Sequence, residues 1–212
     1  LKRFAYDNCE VIVRINSVDT EFWTKDLDEI IPFHPDMIMP PKTNSQDDVR
    51  LVSQYIGKLE EKYGMQRNSV KLIPLIETAM GVENAYRIAS ADERVAAIFL
   101  GAEDLSADLR CKRTKEGTEI LYSRQRLVVA ARAAGVDVYD TPFTDVNDDE
   151  GIHKDASFAK ALGFTGKASI SPRHIDAINE AFSPTQADIS YAHEVMNAIE
   201  QAKREGKGVV AL

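Results

Sequence analysis

Short apolar runs along this chain alternate with longer stretches in which apolar residues recur every three or four positions. The short runs are Val11-Ile12-Val13, Met37-Ile38-Met39, Leu72 to Ile76, Val95 to Leu100, Val136 to Tyr139 and Ala168 to Ile170. Their length and near-continuous hydrophobicity suit strands buried on both faces. Val49, Val52, Ile56 and Leu59 trace one face of a helix ended by Gly64. Leu121, Leu127, Val128, Ala131 and Ala134 trace a second, ended by Gly135. Ile189, Ala192, Val195, Met196, Ile199 and Ala202 trace a third, ended by Gly206. Such stripes are the core-facing sides of amphipathic helices, and glycine is the common residue just past a helix end. Thr185, with Asp188 three residues on, gives the third helix a capping-box start. Phe22 and Trp23 are expected in the core.

Strands that alternate with helices predict a parallel sheet, either doubly wound or closed as a (β/α)8 barrel. About six strands are legible, two short of a barrel. No linker rich in glycine, serine or proline interrupts the chain, so residues 1–212 are read as one domain. The numbering opens at Leu1 with the helix-like LKRFAYDN, from which a missing upstream segment is expected.

Polar residues follow the strands at their C-terminal ends. Val11 to Val13 lead to Arg14, Met37 to Met39 to Lys42, and Leu72 to Ile76 to Glu77. Leu100 leads to Glu103 and Asp104, Tyr139 to Asp140, and Ile170 to Ser171 and Arg173. Ligands of parallel α/β folds bind at that edge. Taken alone, a strand-end glutamate is most often a surface or ion-paired residue. Glu77 and Asp104 on consecutive units instead point to a divalent cation, since Mg²⁺ takes one or two carboxylates and leaves its other positions to water and substrate. Arg14 and Lys42 on the same rim suit a substrate that carries carboxylates. Lys42, after two prolines, is by itself a solvated loop charge, and Asp140 is placed as a cap of the turn that follows.

Composition narrows the field. The chain has 212 residues, 28% of them charged, and a net charge of −8, which argues against a general nucleic-acid binder. No apolar run reaches the ~20 residues of a membrane span. Cys9 and Cys111 form no CxxC pair, so neither a zinc site nor a disulfide framework is expected, and a reducing cytoplasm fits. The four histidines, His34, His153, His174 and His193, form no HxH or HxxxH pair and are read as surface or satisfied groups. Neither GxGxxG nor GxxxxGK[ST] is present, and Ser123, Ser169 and Ser171 lack a GxSxG setting.

The runs LIPLIETAMGVENAYRIA, VAAIFLGAEDLSADL and GFTGKASISPRHIDAINEAFSPTQADISYA, with VIVRIN and MPPK, resemble the citrate lyase β-subunit family within the HpcH/HpaI aldolase superfamily. Residues 113 to 151 carry the likeness furthest toward that family. The resemblance implies a TIM barrel whose first two strands, with an acidic DLED-type motif, are missing from this chain. It also implies a lid-like tail beyond the GKGVV-like stretch. Ser171 stands where many relatives have His or Asn.

The implied activity is metal-dependent cleavage of citryl-thioester, on an acyl carrier protein or CoA, to oxaloacetate and acetyl-thioester. Arg14 would bind substrate, Glu77 would bind Mg²⁺ and lie against the substrate, and Asp104 would be the second metal ligand. Glu103 is the lesser choice, because neighbours on a strand point to opposite sides. Lys42 and Lys167 are weak candidates for contacts to the carrier's phosphopantetheine, and the general base is unassigned. Malyl-, citramalyl- or methylmalyl-CoA lyases with the same site, a 2-keto-3-deoxy acid aldolase and a non-catalytic scaffold are the rivals. A homo-oligomer based on a trimer is expected, with α and γ subunits of a lyase complex as further partners.

Overall fold

The computed structural model describes residues 9–206. The helix-like reading of LKRFAYDN and the stretch beyond Gly206 fall outside those residues. The strands are β1 (Ile12–Arg14), β2 (Met37–Met39), β3 (Lys71–Leu72), β4 (Leu75–Ile76), β5 (Ala97–Leu100), β6 (Asp137–Asp140) and β7 (Gly166–Lys167). The helices are α1 (Trp23–Ile30), α2 (Gln46–Lys62), α3 (Ala79–Glu83), α4 (Ala85–Ala89), α5 (Ala102–Asp108), α6 (Leu121–Ala134), α7 (Asp149–Leu162), α8 (Ile175–Phe182) and α9 (Gln186–Arg204).

Every strand pairing is parallel, and neighbours follow chain order. The ladder changes partners at Pro74, which has no N–H to donate. The chain there stays extended: Ile73 N–H donates to Ile38 O at 2.9 Å and Leu75 N–H to Pro40 O at 3.0 Å. Phe99 N–H donates to Pro74 O at 3.0 Å on the other side. β3 and β4 are therefore two halves of the expected Leu72 to Ile76 strand. The fold is α/β with a parallel sheet. Among the described residues β1 and β7 do not pair.

The pleat sorts the side chains into two sets. Ile38, Leu72, Ile76, Ile98, Leu100 and Val138 pack with the helices in the main core. Met37, Ile73 and Ala97, with Met39, Phe99 and Tyr139 against them, form a separate cluster on the opposite face. β1 departs from the expected double burial, since Ile12 is 40% exposed at the sheet edge. β7 lies just ahead of the predicted run Ala168 to Ile170, none of which is strand, and Ile170 is exposed.

The helices follow their sequence signals unevenly. Val49, Val52 and Ile56 of α2 are fully buried, and Ser45 and Asp48 close a capping box at its start. Thr185 and Asp188 do the same for α9. The apolar stripe of α9 does not pack as expected: Ile189, Met196 and Ile199 are exposed and Ala202 alone on this helix is buried. Trp23 packs against the core and meets Tyr55 edge to face. Phe22, expected with it, is 50% exposed under Lys25.

One buried ion pair ties α2 to the strand entries. Arg94 Nη1 donates to Glu60 Oε1 at 2.7 Å and to Val70 O at 3.0 Å, while Nη2 donates to Glu60 Oε2. Glu60 also accepts from the N–H groups of Val70 and Asn68. Burial alone would raise its carboxyl pKa, but Arg94 and these N–H groups hold it below the ordinary value. Breaking one side of such a pair leaves an uncompensated charge in the core. Arg94→Met is expected to lower unfolding stability by about 3–5 kcal/mol in a urea titration. A loss under about 1 kcal/mol, the scale of an exposed pair, would mean that water solvates Glu60.

A second carboxylate orders the loop before α6. Glu119 accepts from the N–H and hydroxyl of Thr114 and from Arg113 Nη1. Burial pushes its pKa up, but these bonds outweigh it and bring the pKa from 4.5 to about 2. A depressed folded-state pKa gives stability that is present above the unfolded value and lost as pH falls through the folded one. Glu119→Gln should cost about 1.5–3 kcal/mol at neutral pH. The gap between parent and variant should close as pH drops from 4.5 toward about 2. A gap that stays constant through that window would rule out this clamp.

Candidate functional site

A cleft of about 350 Å³ opens at the C-terminal ends of the strands. Larger hollows lie elsewhere, about 810 Å³ beside Arg67 and Arg94 and about 480 Å³ between Lys115 and Phe158. The smaller one is singled out because strands β1, β2, β4 and β5 and the segments after β6 and β7 all reach it. Arg14, Met39, Leu75, Phe99, Pro142 and Ala168 are among its walls.

Strand alternation explains which residues arrive there. Met37 and Met39 share a face, as do Phe99 and Gly101, and Tyr139 and Thr141. Leu75 and Glu77 likewise lie two apart, so Glu77 continues the cleft face while Ile76 stays in the helix-facing core. Thr78 then caps α3, its hydroxyl accepting the N–H of Gly81 at 3.0 Å. A charge ends this core strand because its place is the last cleft-facing position before a helix begins.

Glu77 is 5% exposed and held on two sides. Its Oε1 accepts the backbone N–H of Lys42 at 2.9 Å, and Lys42 adopts a left-handed φ of 51°. On the other side, a Cβ at Gly101 would lie 2.8 Å from both Cβ and Oε2 of Glu77, so only glycine fits. Burial raises the Glu77 pKa above the ordinary value. The N–H of Lys42 opposes that shift, the charge of Asp104 adds to it, and the charges of Lys42 and Arg14 oppose it. Arg14, Glu77 and Asp104 are therefore brought together, as expected from the strand ends.

Other expectations change. Asp104 lies in the first turn of α5 rather than on a strand, so strand alternation is not what separates it from Glu103. A helix turns about 100° per residue and parts them just as well. Glu103 reaches Arg113 at 3.4 Å, although it also borders the cleft. The Lys42 side chain is exposed on the rim, and its bond to the site runs through the backbone.

Asp140 and Lys167 face away from the cleft. Asp140 shares its face with Val138 and is fully buried against α6 and α7 rather than capping a turn. Arg124 Nε and Nη2 donate to its two oxygens at 3.0 and 2.9 Å, and Lys167 Nζ to Oδ2 at 2.7 Å. Asp155 joins both cations. The Lys167 side chain is 0% exposed, so it has no reach to an incoming carrier arm. His174 is fully buried beside Phe143, and neither ring nitrogen has a hydrogen-bond partner, contrary to the satisfied or surface histidine expected. Arg124 lies in the 113 to 151 stretch that carries the likeness and Lys167 in GFTGK, but nothing local marks Arg124 or Asp155 as a partner of Asp140.

The donor set suits a hard divalent cation. Glu77, Glu103 and Asp104 share the cleft; the charge of Asp104 disfavours that of Glu77, an opposition that a cation between them relieves. Among the described residues no group of three or more His, Cys, Asp or Glu could hold a metal. A cation bound here would thus keep positions open for water and substrate, the habit of Mg²⁺.

The chain matches the HpcH/HpaI aldolase/citrate lyase family over residues 1–172. It is 40% identical over 212 residues to citrate lyase subunit beta of Escherichia coli (strain K12), covering 100% of this chain and 70% of that protein. It is 33% identical to the L-malyl-CoA/beta-methylmalyl-CoA lyase of Rhodobacter capsulatus, covering 96% of this chain and 70% of that one. A solved citrate lyase beta subunit from M. tuberculosis, complexed with oxaloacetate and magnesium, superposes with a TM-score of 0.69 at 29% identity. That likeness covers 82% of this chain and 73% of the other. In sequence and in the architecture around its cleft, the chain belongs to the HpcH/HpaI aldolase/citrate lyase family.

Proposed function

We propose that the chain is a magnesium-dependent carbon–carbon lyase that cleaves a citryl thioester, on an acyl carrier protein or CoA, to oxaloacetate and an acetyl thioester. The observation that carries this reading is the meeting of Arg14, Glu77 and Asp104, from three separate units, on one cleft at the strand ends. The names of the Escherichia coli relative and the magnesium- and oxaloacetate-bound neighbour support it. Six parallel units in chain order are read as most of a (β/α)8 barrel, with the whole of 1–212 in one catalytic domain. The two exposed, unpaired thiols, Cys9 and Cys111, suit a cytoplasmic setting. A trimer-based assembly with α and γ partner subunits completes the proposal.

Glu77 and Asp104 are the residues that would hold the cation. When bound, it supplies a Lewis acid that lowers the pKa of the substrate's tertiary hydroxyl and steadies the oxo-acid product. Arg14 is the one cationic side chain on the cleft wall among the described residues. Its planar fork grips a substrate carboxylate, and its charge opposes the negative charge that grows on the departing thioester enolate. Met39, Leu75, Phe99, Pro142, Ala168 and Ile170 give the cleft apolar walls, which exclude water and strengthen these charge contacts. The Lys42 N–H keeps Glu77 aimed at the cleft.

The second reading keeps this site and changes the acyl group to malyl or citramalyl on CoA, as the Rhodobacter capsulatus relative suggests. Citryl-CoA, assayed by coupling oxaloacetate to malate dehydrogenase and NADH, should turn over with Mg²⁺ and stop with EDTA. Asp104→Ala should abolish that turnover. Metal-dependent cleavage of malyl- or citramalyl-CoA alone would select the second reading, and silence on every thioester would overturn both. Arg14→Lys keeps the charge and loses the fork, so kcat should fall by about 10²–10³-fold. Near-parent kcat in that variant would remove Arg14 from the site.

A further inference from the structure

Helix α5 carries Asp104 but begins without a side-chain cap of its own. Its N-cap position is Gly101, where serine or aspartate would ordinarily accept a first-turn N–H. No such residue fits, because a Cβ there would lie 2.8 Å from Glu77. The first-turn N–H groups of a helix have no partner within the helix. Here the N–H of Ala102 donates to Thr141 Oγ1, at 3.2 Å, from the segment just past β6. The close approach of Glu77 thus removes the local cap, and a neighbouring unit supplies a substitute.

Thr141 is itself fixed. It is fully buried and its carbonyl accepts from Lys167 Nζ at 2.6 Å. That ammonium lies 2.7 Å from Asp140 Oδ2 and 2.5 Å from Asp155 Oδ2, and Arg124 bridges the same two carboxylates. Two cations and two anions lie behind the cleft with almost no exposure. Buried ion pairs of this kind add little net stability over a packed apolar core. What they do supply is a single fixed geometry on the side of the sheet away from the cleft, transmitted to its mouth by the Thr141 main chain.

We infer that Thr141 is a positioning residue for the metal site: anchored by Lys167, its hydroxyl caps α5 from the next strand unit and sets Asp104 against Glu77. This rests on the reading of Glu77 and Asp104 as the magnesium ligands. Ala102 and Asp104 share one helical turn, so fraying at Ala102 displaces Asp104 directly.

Thr141→Val keeps the shape and removes the acceptor, whereas Thr141→Ser keeps the hydroxyl. Mg²⁺ binding to the full chain would be measured by isothermal titration calorimetry without substrate, with circular dichroism and a thermal melt as controls on folding. The expected result is affinity about tenfold weaker in Thr141→Val, the scale seen when a group behind a metal ligand is lost. Thr141→Ser should bind within about twofold of the parent, well inside that range. Equal Mg²⁺ affinity in parent and folded Thr141→Val, or a Thr141→Ser variant as weak as Thr141→Val, overturns the inference alone. A parent chain that binds no Mg²⁺ overturns the metal reading beneath it. A parent that binds Mg²⁺ but cleaves no thioester, with affinity lost in Thr141→Val and kept in Thr141→Ser, upholds the positioning role and removes the proposed activity.

Discussion

Parallel pairing is the constraint on which the rest of this structure depends. Strands that run the same way send all their C-terminal ends to one edge, and each must be followed by a crossover that starts there. That edge is where backbone groups leave the ladder, where helices begin, and where side chains are released from the core. Arg14, Glu77, Gly101 and Thr141 are far apart in sequence, yet this one rule delivers them to the same cleft. The pleat then divides each strand end between two destinations. One parity faces the cleft; the other faces the helices.

The two destinations carry different chemistry. On the cleft side, charges are few and unevenly balanced: Arg14 against Glu77, Glu103 and Asp104. Such a surplus of carboxylate in a partly dry site invites a cation. On the helix side, Arg124, Lys167, Asp140 and Asp155 balance one another in near-complete burial. The first set is placed to meet a ligand, and the second to hold the first in place. Glu77 and Gly101 connect them. The glutamate occupies the space in which a capping side chain would stand, so the helix carrying Asp104 takes its cap from Thr141.

Much of this was legible in the residues. Runs such as Met37 to Met39 are β strands because they are apolar, short and flanked by polar turns. Val49, Val52 and Ile56 show the period of a helix and are buried as that period requires. The strand-end positions of Arg14, Glu77 and Asp104 could be read as well, since strand order and polarity alone place them on the same edge. The stripe of α9 reads equally well but is exposed, because periodicity states that a face is apolar and not what covers it. Phe22 misleads in the same manner: an aromatic beside Trp23 looks like core, yet one helical step turns it outward.

What the sequence by itself determined is local in origin: the alternation of strands and helices, the cap at Thr185, and the place of Glu77 where a strand ends. What only the tertiary structure decided is long-range. Asp140, a cap by sequence, proves to be the centre of a buried charge cluster. Lys167, a candidate contact for the carrier's phosphopantetheine by sequence, proves to have a wholly enclosed side chain. Lys42 matters to the site through its N–H more than through its charge. The physical reason is common to all three. Solvation and partner charges fix what a polar group does, and those partners, Arg124 and Asp155 above all, come from helices whose approach no local pattern encodes.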